Sequence, residues 1–592
     1  MTASPPAASS SRLGFLRQTA RLAGAYWNSE DKWKVRGQTA VLFLLTVVQV
    51  MLAVWINYWS RDLFDALENR QFDLFLKLIG AFVLIFILTV GVTALHLQVK
   101  RWLQLGWRKW LTERVIGHWM ARGHHYQLLF TPGEHDNPDG RIADDIRIAT
   151  ETAVALAHTL VYSLLILGSF VDILLSVTGS APVPGTSVVV PGYMVLAAFG
   201  YAGVGTVLGL ILGRPLIETT NHLQTAEASF RFGLAHAREN SESIAMLRGE
   251  SNERQQASHL FKDVEQGWNR QTFAYTWIVA FSTGYGTLLP VFPILVAAPQ
   301  FISGTMTLGV LMQAAQAFQK LTSALSWPID NLGEMAKCRA SADRVLSIFD
   351  DLLKLEHAVA LPETHRIEIE RSDRSALIIR DLTLADSEGR VLLENFNAEF
   401  HRGEHVLIGG DPTVTVALFK AVGGLWPWGR GRIEMPQGQA TMFLPQRPFL
   451  PNGTLEFVLS YPLPPRAHSA AQLQHALECA GLAWLAPRLQ QTDSWDRILP
   501  LRAQQRLAFA RLLLQRPCWI FIEEATDALA PKDELCLMEM LQREFPNATI
   551  ITISFHPGLE PLHQRKLVLN RVRGERRLDD LDGSRVASRE SA

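Results

Sequence analysis

Six long apolar segments dominate the first 330 residues of the chain and limit the folds that this part can adopt. A helix needs about 20 mostly apolar residues to cross the hydrocarbon core of a bilayer, and each segment is long enough to do so. Charged residues crowd into the remainder of the chain. The sequence therefore predicts a multi-domain protein, with an all-α membrane domain of six helices before a soluble domain. The predicted spans are 38–60, 74–97, 153–177, 193–213, 273–298 and 305–327.

Length, charge and cysteine content narrow the class of protein further. At 592 residues the chain is too long for one compact core, so at least two domains are expected. Its net charge of -1 provides no overall basic field, so a nucleic-acid partner is not expected. The four cysteines lack C-x-x-C spacing and follow the last apolar segment. We therefore expect reduced cytosolic thiols rather than a zinc site or disulfides.

The distribution of basic residues predicts how the chain is oriented in the membrane. Lysine and arginine are enriched in cytosolic loops, and here they cluster before the first span and after the second. The connections at 178–192 and 299–304 carry no charge. The N-terminus, segments 98–152 and 214–272, and everything after residue 330 are therefore predicted to be cytosolic. The two long cytosolic segments would extend the membrane helices as stalks.

The same change in composition predicts the domain boundaries. The domain from 21 to 350 should hold the six membrane helices and their stalks, and that from 371 to 570 should be the soluble domain. The segments outside these domains are an N-terminal tail at 1–20, a linker at 351–370 and a C-terminal tail at 571–592, with both tails expected to be disordered.

Polar side chains inside two of the predicted spans are candidates for a solute cavity. Polar residues are costly inside a membrane and usually face a cavity or another helix. Gln313, Gln316 and Lys320 recur at helical spacing in the sixth span, while His158 and Asp172 lie on one face of the third. The pattern predicts the lining of a translocation cavity. The alternative is that these residues hold helices together.

From about residue 366 the sequence changes to short apolar strands, turns and helices, which predicts an α/β domain. Four stretches in order resemble motifs of ABC (ATP-binding cassette) nucleotide-binding domains, which have a P-loop-type fold. They are the Q-loop in 443–455, the helix after the signature motif in 504–514, the Walker B strand with its D-loop in 519–529, and the H-loop in 551–556.

The membrane half carries motifs that resemble one branch of this family. They include Asn57-Tyr-Trp59, Asp65-Ala-Leu67, Trp107-Arg-Lys-Trp-Leu-Thr112, Asp136-Asn-Pro-Asp139 and Glu239-Asn-Ser-Glu-Ser-Ile244. The branch is the SbmA/BacA-like group of bacterial ABC transporters, which is related to the peroxisomal fatty-acyl transporters. The resemblance implies a homodimer of exporter-type architecture in the bacterial inner membrane. It also implies uptake of peptides or of hydrophilic solutes such as cobalamin. Some members lack a nucleotide-binding domain and use the proton gradient.

The phosphate-binding motif G-x-x-x-x-G-K-[ST] is eroded in this chain. By spacing, Val414 replaces the second glycine, Thr415 the lysine and Val416 the hydroxyl residue that binds magnesium. Because each loss removes a phosphate or metal contact, we expect MgATP to bind weakly. The resemblance assigns ATP and its magnesium ion to positions Gly409, Thr413, Thr415, Val416 and Glu523.

Other positions of the ATP site are partly retained. Glu524 stands where the family has its general base, His556 where it has the H-loop histidine, and Gln446 where it has the Q-loop glutamine. The signature motif has become Leu499-Pro-Leu-Arg-Ala503, so its serine and both glycines are missing. The three retained residues are either residual catalytic groups or side chains that hold loops together.

Three functional hypotheses remain open from the sequence. The first is a transporter that does not depend on its own ATP hydrolysis and uses a proton gradient. The second is a conventional ATP-driven transporter with a weak site. The third is a dimer that regulates and does not transport. The candidate proton carriers of the first hypothesis are Asp62, Asp65, Asp172, Glu218, Glu227 and Glu239.

Overall fold

A computed structural model describes residues 23–128, 138–178, 180–182, 189–358, 367–386 and 388–572. Internal contacts divide the chain into two compact units, with a boundary after residue 351 and with segment 119–128 assigned to the second unit. The predicted tail at 1–20 lies outside the described residues. So do most of the predicted tail at 571–592 and the central part of the predicted linker.

The first unit is helical. Its long helices arise from the apolar segments of the sequence, each continued by polar residues. In chain order they are α1 (Lys32–Glu68), α2 (Phe72–Met120), α3 (Ile146–Thr178), α4 (Tyr193–Glu239), α5 (Ser241–Leu247), α6 (Glu250–Leu288), α7 (Phe292–Ile302), α8 (Leu308–Leu325), α9 (Trp327–Asp330) and α10 (Leu332–Ala358). A short ribbon between α3 and α4 pairs Ser180–Pro182 with Val189–Pro191.

Five helical segments in the described part of the chain are long and apolar enough to cross a membrane. They are Lys32–Glu68, Phe72–Met120, Pro138–Thr178, Tyr193–Glu239 and Glu250–Ile302, and they contain the first five predicted spans. The sixth predicted span, 305–327, corresponds to α8, a helix of 18 residues. Its glutamines and lysine make it less apolar than the others, so the predicted number of six apolar spans is not confirmed.

Helix α8 lies at the centre of the first unit. Ala314, Ala317, Phe318 and Leu321 are fully buried and pack against residues of α1, α3 and α4. Because neighbouring helices surround α8, its polar side chains are shielded even though the helix is less apolar than the rest. Helix α8 therefore combines polar side chains with a buried position in the fold.

Two carboxylates of α1 cap the start of α8. Asp65 Oδ1 accepts a hydrogen bond from the Gly309 amide at 2.9 Å, and Glu68 Oε2 accepts one from the Leu308 amide at 2.9 Å. Acidic groups are favourable at a helix N-terminus because its amide groups are unpaired and carry partial positive charge. A β-carbon at Gly309 would lie 2.2 Å from the Arg61 carbonyl oxygen. The close approach of α1 and α8 therefore requires glycine there.

The stalks are long continuations of the membrane helices. Helix α2 has 49 residues and α4 has 47. At a rise of about 1.5 Å per residue each exceeds 65 Å, roughly twice the thickness of a bilayer's hydrocarbon core. Helices α4 and α6 pack along each other, with α5 between them in sequence.

The second unit is an α/β domain with two large sheets and a short two-stranded ribbon that pairs Gly453–Thr454 with Thr492–Asp493. The strands are β1 (Ile367–Ser372), β2 (Ala376–Ala385), β3 (Val391–His401), β4 (His405–Gly410), β5 (Gly429–Pro436), β6 (Thr441–Leu444), β7 (Trp519–Glu523), β8 (Thr549–Ile553) and β9 (Arg565–Leu569). The five-stranded sheet is parallel in the order β9-β4-β8-β7-β6. The mixed four-stranded sheet has the order β1-β5-β2-β3, with β1 and β5 parallel.

Helices cover the parallel sheet of the second unit on both faces. The helices of this unit are α11 (Pro412–Val422), α12 (Leu455–Ser460), α13 (Ala470–Cys479), α14 (Leu501–Gln515) and α15 (Pro531–Glu544). Of these, α11, α14 and α15 cover the sheet, while α12 and α13 pack with α14 in a separate apolar cluster. Helix α11 and the four-stranded sheet share one core with the parallel strands, and α14 and α15 form the other. Every residue of β8 is buried, in keeping with the β-branched and apolar runs typical of a parallel sheet. The predicted α/β character of this half is confirmed.

Candidate nucleotide and solute sites

One residue, Asp411, separates strand β4 from helix α11, where a phosphate-binding loop is expected. Its carboxylate accepts hydrogen bonds from the Thr413 and Val414 amides at 2.8 and 3.4 Å. Its carbonyl oxygen accepts bonds from the Val414 and Thr415 amides. Phosphates bind at helix N-termini through such amides. In this domain a side chain of the protein already occupies that position.

The adjoining glycine is held against strand β9. Gly410 has a φ of 123°, and a β-carbon there would lie 1.9 Å from the Leu569 carbonyl oxygen. The same oxygen accepts a hydrogen bond from the Asp411 amide at 2.7 Å. The turn between β4 and α11 is therefore packed against protein backbone.

The predicted ATP positions of this turn do not converge on a common space. Thr415 is fully buried, and its hydroxyl donates to the Pro412 carbonyl at 3.2 Å. Val414, at the position of the second glycine, is also fully buried in the core. Thr413 is exposed, Val416 is half-buried and Gly409 lies within β4. Two of these side chains thus contribute to packing instead of facing a ligand.

The end of strand β7 carries the predicted Walker B and general-base carboxylates. Glu523 ends the strand, and burial raises the pKa of its carboxyl, an effect that the nearby Glu524 and Asp527 reinforce. Glu524 follows in a left-handed conformation with a φ of 44°. The Gln446 side-chain amide donates to Glu524 Oε2 at 3.3 Å and to Asp527 Oδ2 at 2.7 Å. The structure therefore brings Gln446 and Glu524 together.

A buried glutamine that the sequence analysis did not single out completes this network. The Gln505 amide nitrogen donates to the Gln446 carbonyl at 3.0 Å and also to Asp527 Oδ1, and its oxygen accepts from the Ala528 amide at 3.2 Å. Gln505 is fully buried and lies near the start of α14, directly after the eroded signature. Its position in the 504–514 stretch, which resembles the helix after the signature motif, is the sequence signal that could have identified it.

His556 belongs to a separate set of contacts. Its Nδ1 lies 3.0 Å from Glu534 Oε2, and Glu534 Oε1 accepts a hydrogen bond from the Thr526 hydroxyl at 2.7 Å. The backbone amide of His556 donates to Ser554 Oγ. Glu534, on α15, is 3% exposed and was not predicted. His556 is thus held by a buried carboxylate of α15, whereas Gln446 binds Glu524.

The eroded signature motif forms the start of α14. Leu499 is buried, Pro500 precedes the first turn, and Gln504 donates to the Leu499 carbonyl at 2.7 Å. A signature motif contacts phosphate through small residues and open amides. Here a proline and an apolar contact take their place, so this end of the helix offers little to an anion.

The predicted cavity residues of α8 lie in three different environments. Gln313 is fully buried, and in the described part of the chain its side-chain amide has no hydrogen-bond partner. The main-chain carbonyl of Gln313 accepts a hydrogen bond from Asn57 Nδ2 at 3.1 Å. Gln316 donates to Ser60 Oγ at 2.7 Å, and Lys320 is exposed. Within one subunit Gln313 therefore packs between helices and does not line a cavity.

The two predicted polar residues of α3 are separated from each other. His158 packs against His96 of α2, with ring centroids 4.2 Å apart. Asp172 is exposed, and it lies 14 residues further along the helix, a distance of about 21 Å. The structure does not bring His158 and Asp172 into one site.

The candidate proton carriers of α1 are engaged in contacts that stabilise the fold. Asp65 caps α8, as described above, and Asp62 Oδ1 lies 3.0 Å from the Arg61 guanidinium. Glu218 and Glu227 of α4 are exposed, as is Glu239.

Comparison with known proteins assigns the family. A family profile described as ABC transporter transmembrane region 2 matches residues 22–302. The inner membrane ABC transporter ATP-binding protein YddA of Escherichia coli (strain K12) is 30% identical over 541 residues, covering 88% of this chain and 92% of that protein. This chain belongs to the ABC transporter family.

Two further relatives show how broadly the similarity within the ABC transporter family extends. The ABC transporter D family member 2, chloroplastic, of Arabidopsis thaliana is 28% identical over 93% of this chain and 85% of its own length. The lysosomal cobalamin transporter ABCD4 of Homo sapiens is 26% identical, over 90% of this chain and 92% of its own length. Each match spans both units. The chain is therefore a half-transporter in which a membrane domain precedes an ATP-binding-type domain, as the resemblance to ABC proteins predicts.

Proposed function

We propose that this chain is a transporter half that works as a homodimer in a bacterial inner membrane and whose cycle does not depend on its own ATP hydrolysis. The observation that carries the proposal is the Asp411 carboxylate at the N-terminus of α11. It occupies the anion-binding position that a nucleotide phosphate needs, and its charge would repel that phosphate.

The residues around the expected nucleotide site do not fit MgATP. Glu523 and Glu524 keep the carboxylates of the Walker B and general-base positions, so the misfit lies with the groups that should hold the phosphates. Thr415, at the position of the phosphate-binding lysine, is buried in the core. Phosphoryl transfer depends on positioning and on neutralisation of charge. Because the phosphate clamp and the signature are both lost, Gln446, Glu524 and His556 serve to hold loops in place.

Exposed apolar side chains on the stalks support assembly into a homodimer. Phe232 on α4, Leu247 on α5 and Phe261 on α6 are 74%, 82% and 53% exposed. Large apolar groups exposed together mark an interaction surface. A second copy of the chain is the partner that the family resemblance implies, and two-fold pairing would present this surface on both subunits.

We infer that the solute is a peptide or a hydrophilic molecule such as cobalamin, moved by the proton gradient. The support is the resemblance to the SbmA/BacA-like branch, together with the lysosomal relative's name as a cobalamin transporter. Gln316, Lys320, His158 and Asp172 are the candidate cavity residues of the dimer. ATP-driven transport through a weak site is the second candidate, and the retention of Glu524, His556 and Gln446 favours it.

Uptake by the purified protein in proteoliposomes separates these functions. We expect uptake of cobalamin or of a short peptide to follow an imposed proton gradient and to be unchanged by internal or external ATP. ATPase activity should be near background, both in the wild type and in Glu524→Gln. Uptake that requires ATP, with a hydrolysis rate abolished by Glu524→Gln, would establish the ATP-driven transporter. Absence of flux under every condition would favour a regulatory dimer.

A further inference from the structure

A cavity of about 320 Å³ opens in the first unit between helices α1, α2 and α3 and the residues just before α1. Its walls are almost entirely apolar. Trp27 and Leu42 form one side, Leu103 and Trp107 another, and residues 153–161 of α3 the third. The cavity is therefore suited to a hydrocarbon chain.

Two polar rings in this apolar wall lack hydrogen-bond partners. Trp107 is 3% exposed, and its indole Nε1 has no partner in the described part of the chain. Both ring nitrogens of His158 also lack a hydrogen-bond partner among the described residues. Trp27, by contrast, donates its Nε1 hydrogen to Thr39 Oγ1 at 3.0 Å. Because buried polar groups are nearly always hydrogen-bonded, the unpartnered rings indicate a ligand that brings an oxygen acceptor on an apolar body.

Aromatic and basic residues near the cavity indicate which class of lipid it would hold. Tyr26, Trp27 and Trp107 form an aromatic cluster at one end of the cavity, with ring centroids 5.3 to 6.4 Å apart. Tyrosine and tryptophan collect at the level of the lipid headgroups. Lys32 and Lys34 are exposed at the start of α1, five and seven residues after Trp27 in the sequence. Basic residues at the cytosolic surface attract anionic lipids.

We propose that this cavity holds one acyl chain of an anionic phospholipid from the cytosolic leaflet. The ester carbonyl accepts a hydrogen bond from the Trp107 indole, and the chain fills the space between α1, α2 and α3. The phosphate lies near Lys32 and Lys34. This lipid is a resident ligand of the membrane domain. The proposal does not depend on the energy source proposed above, and it places the lipid beside His158, one of the candidate solute-cavity residues.

Lipid retention by the full-length protein in detergent tests the proposal. Native mass spectrometry should detect one phosphatidylglycerol per subunit after titration with that lipid. Ala153→Phe, which fills the cavity, should weaken retention at least tenfold. Trp107→Phe removes the indole donor without filling the cavity and should weaken it several-fold. Leu164→Phe is the matched control, because Leu164 lies on the same helix, is 57% exposed and does not line the cavity.

The choice of lipid separates the possible sources of the chain. Phosphatidylcholine should be retained several-fold less well, because it lacks the net negative charge, and free palmitate should be retained poorly because it lacks the ester. Equal retention of palmitate would overturn the assignment to a phospholipid. Equal losses in Ala153→Phe and Leu164→Phe, or unchanged retention in both Ala153→Phe and Trp107→Phe, would place the lipid elsewhere. Thermal unfolding of each variant verifies that it is folded.

Discussion

At the scale of single residues, the nucleotide-binding domain is shaped by substitutions that fill its ligand positions with protein groups. Asp411 supplies the negative charge that a helix N-terminus favours, and it does so permanently. Thr415 and Val414 have turned into core residues. Gln505 joins two loops through hydrogen bonds made by both its side-chain nitrogen and its side-chain oxygen. These side chains keep the fold intact where ATP contacts are lost.

Removing the Asp411 carboxylate should reduce stability without creating a nucleotide site. Loss of an N-cap costs about 1 kcal/mol, whereas asparagine is a cap as good as aspartate. Asp411→Ala should therefore lower the midpoint of thermal unfolding of the second unit, and Asp411→Asn should stay close to wild type. Equilibrium binding of MgATP should be undetectable in both. Tight binding by Asp411→Ala would instead identify the carboxylate as the main obstacle to nucleotide.

Two half-buried histidines make the second unit sensitive to acid. Burial lowers the pKa of His405 and of His563 below the ordinary value of 6.5. Each ring therefore binds a proton more readily in the unfolded chain, and stability falls as the pH drops below about 6.5. His563 Nδ1 lies 2.8 Å from the Leu559 carbonyl, and its Nε2 lies 2.9 Å from Thr552 Oγ1.

The acid sensitivity can be measured by thermal unfolding of the full chain between about pH 7.5 and pH 5. We expect the midpoint for the second unit to decrease towards low pH and the decrease to be smaller in His563→Gln. His401→Gln is the control, because His401 is exposed. A steeper pH dependence in His563→Gln than in wild type would contradict this assignment.

At the scale of elements, α8 explains why the predicted stripe of polar residues does not form a single surface. The helix is enclosed by its neighbours, so the face that carries Gln313 is buried while Lys320 remains exposed. Its start is fixed by Asp65 and Glu68 of α1. Helices α1 and α8 therefore cross at a fixed position, and they approach each other most closely at Gly309.

Substitutions of two helical glycines test how closely α1 and α8 pack. Gly309→Ala should destabilise the membrane unit by about 1–3 kcal/mol, because the added methyl group meets the Arg61 carbonyl and overpacking costs this much. Gly80→Ala in α2 is the matched control, since its β-carbon enters open space and alanine favours a helix. Thermal unfolding in detergent should show a lower midpoint only for Gly309→Ala. Equal midpoints would show that the crossing can relax.

At the scale of the whole molecule, the topology depends on whether α8 crosses the membrane. Five segments are long and apolar enough to cross by themselves, and an odd number would leave the two ends of the chain on opposite sides. The basic residues predict that both the N-terminus and the second unit are cytosolic. Because α8 is shielded by other helices, it can cross with its polar residues, and the six-helix architecture stays our proposal.

Labelling with a membrane-impermeant maleimide tests this topology. Ser303→Cys places a thiol in the uncharged connection before α8, where Ser303 is exposed. We expect it to react in intact cells. The native Cys536 is exposed in the second unit and should react only after permeabilisation. Labelling of both thiols from the same side would show that α8 does not cross the membrane.

The sequence by itself determined which segments are apolar enough to cross a membrane, where the α/β half begins, and membership of the ABC transporter family. These properties follow from composition, periodicity and short motifs, all of which are local. The tertiary structure alone decided that Gly410 packs against strand β9, that Gln505 joins Gln446 to Asp527, and that Gln313 is buried. Each of these depends on groups that folding brings together from distant parts of the chain, or on neighbours that enclose a helix. Helical periodicity shows that residues share a face, and only packing decides what that face meets.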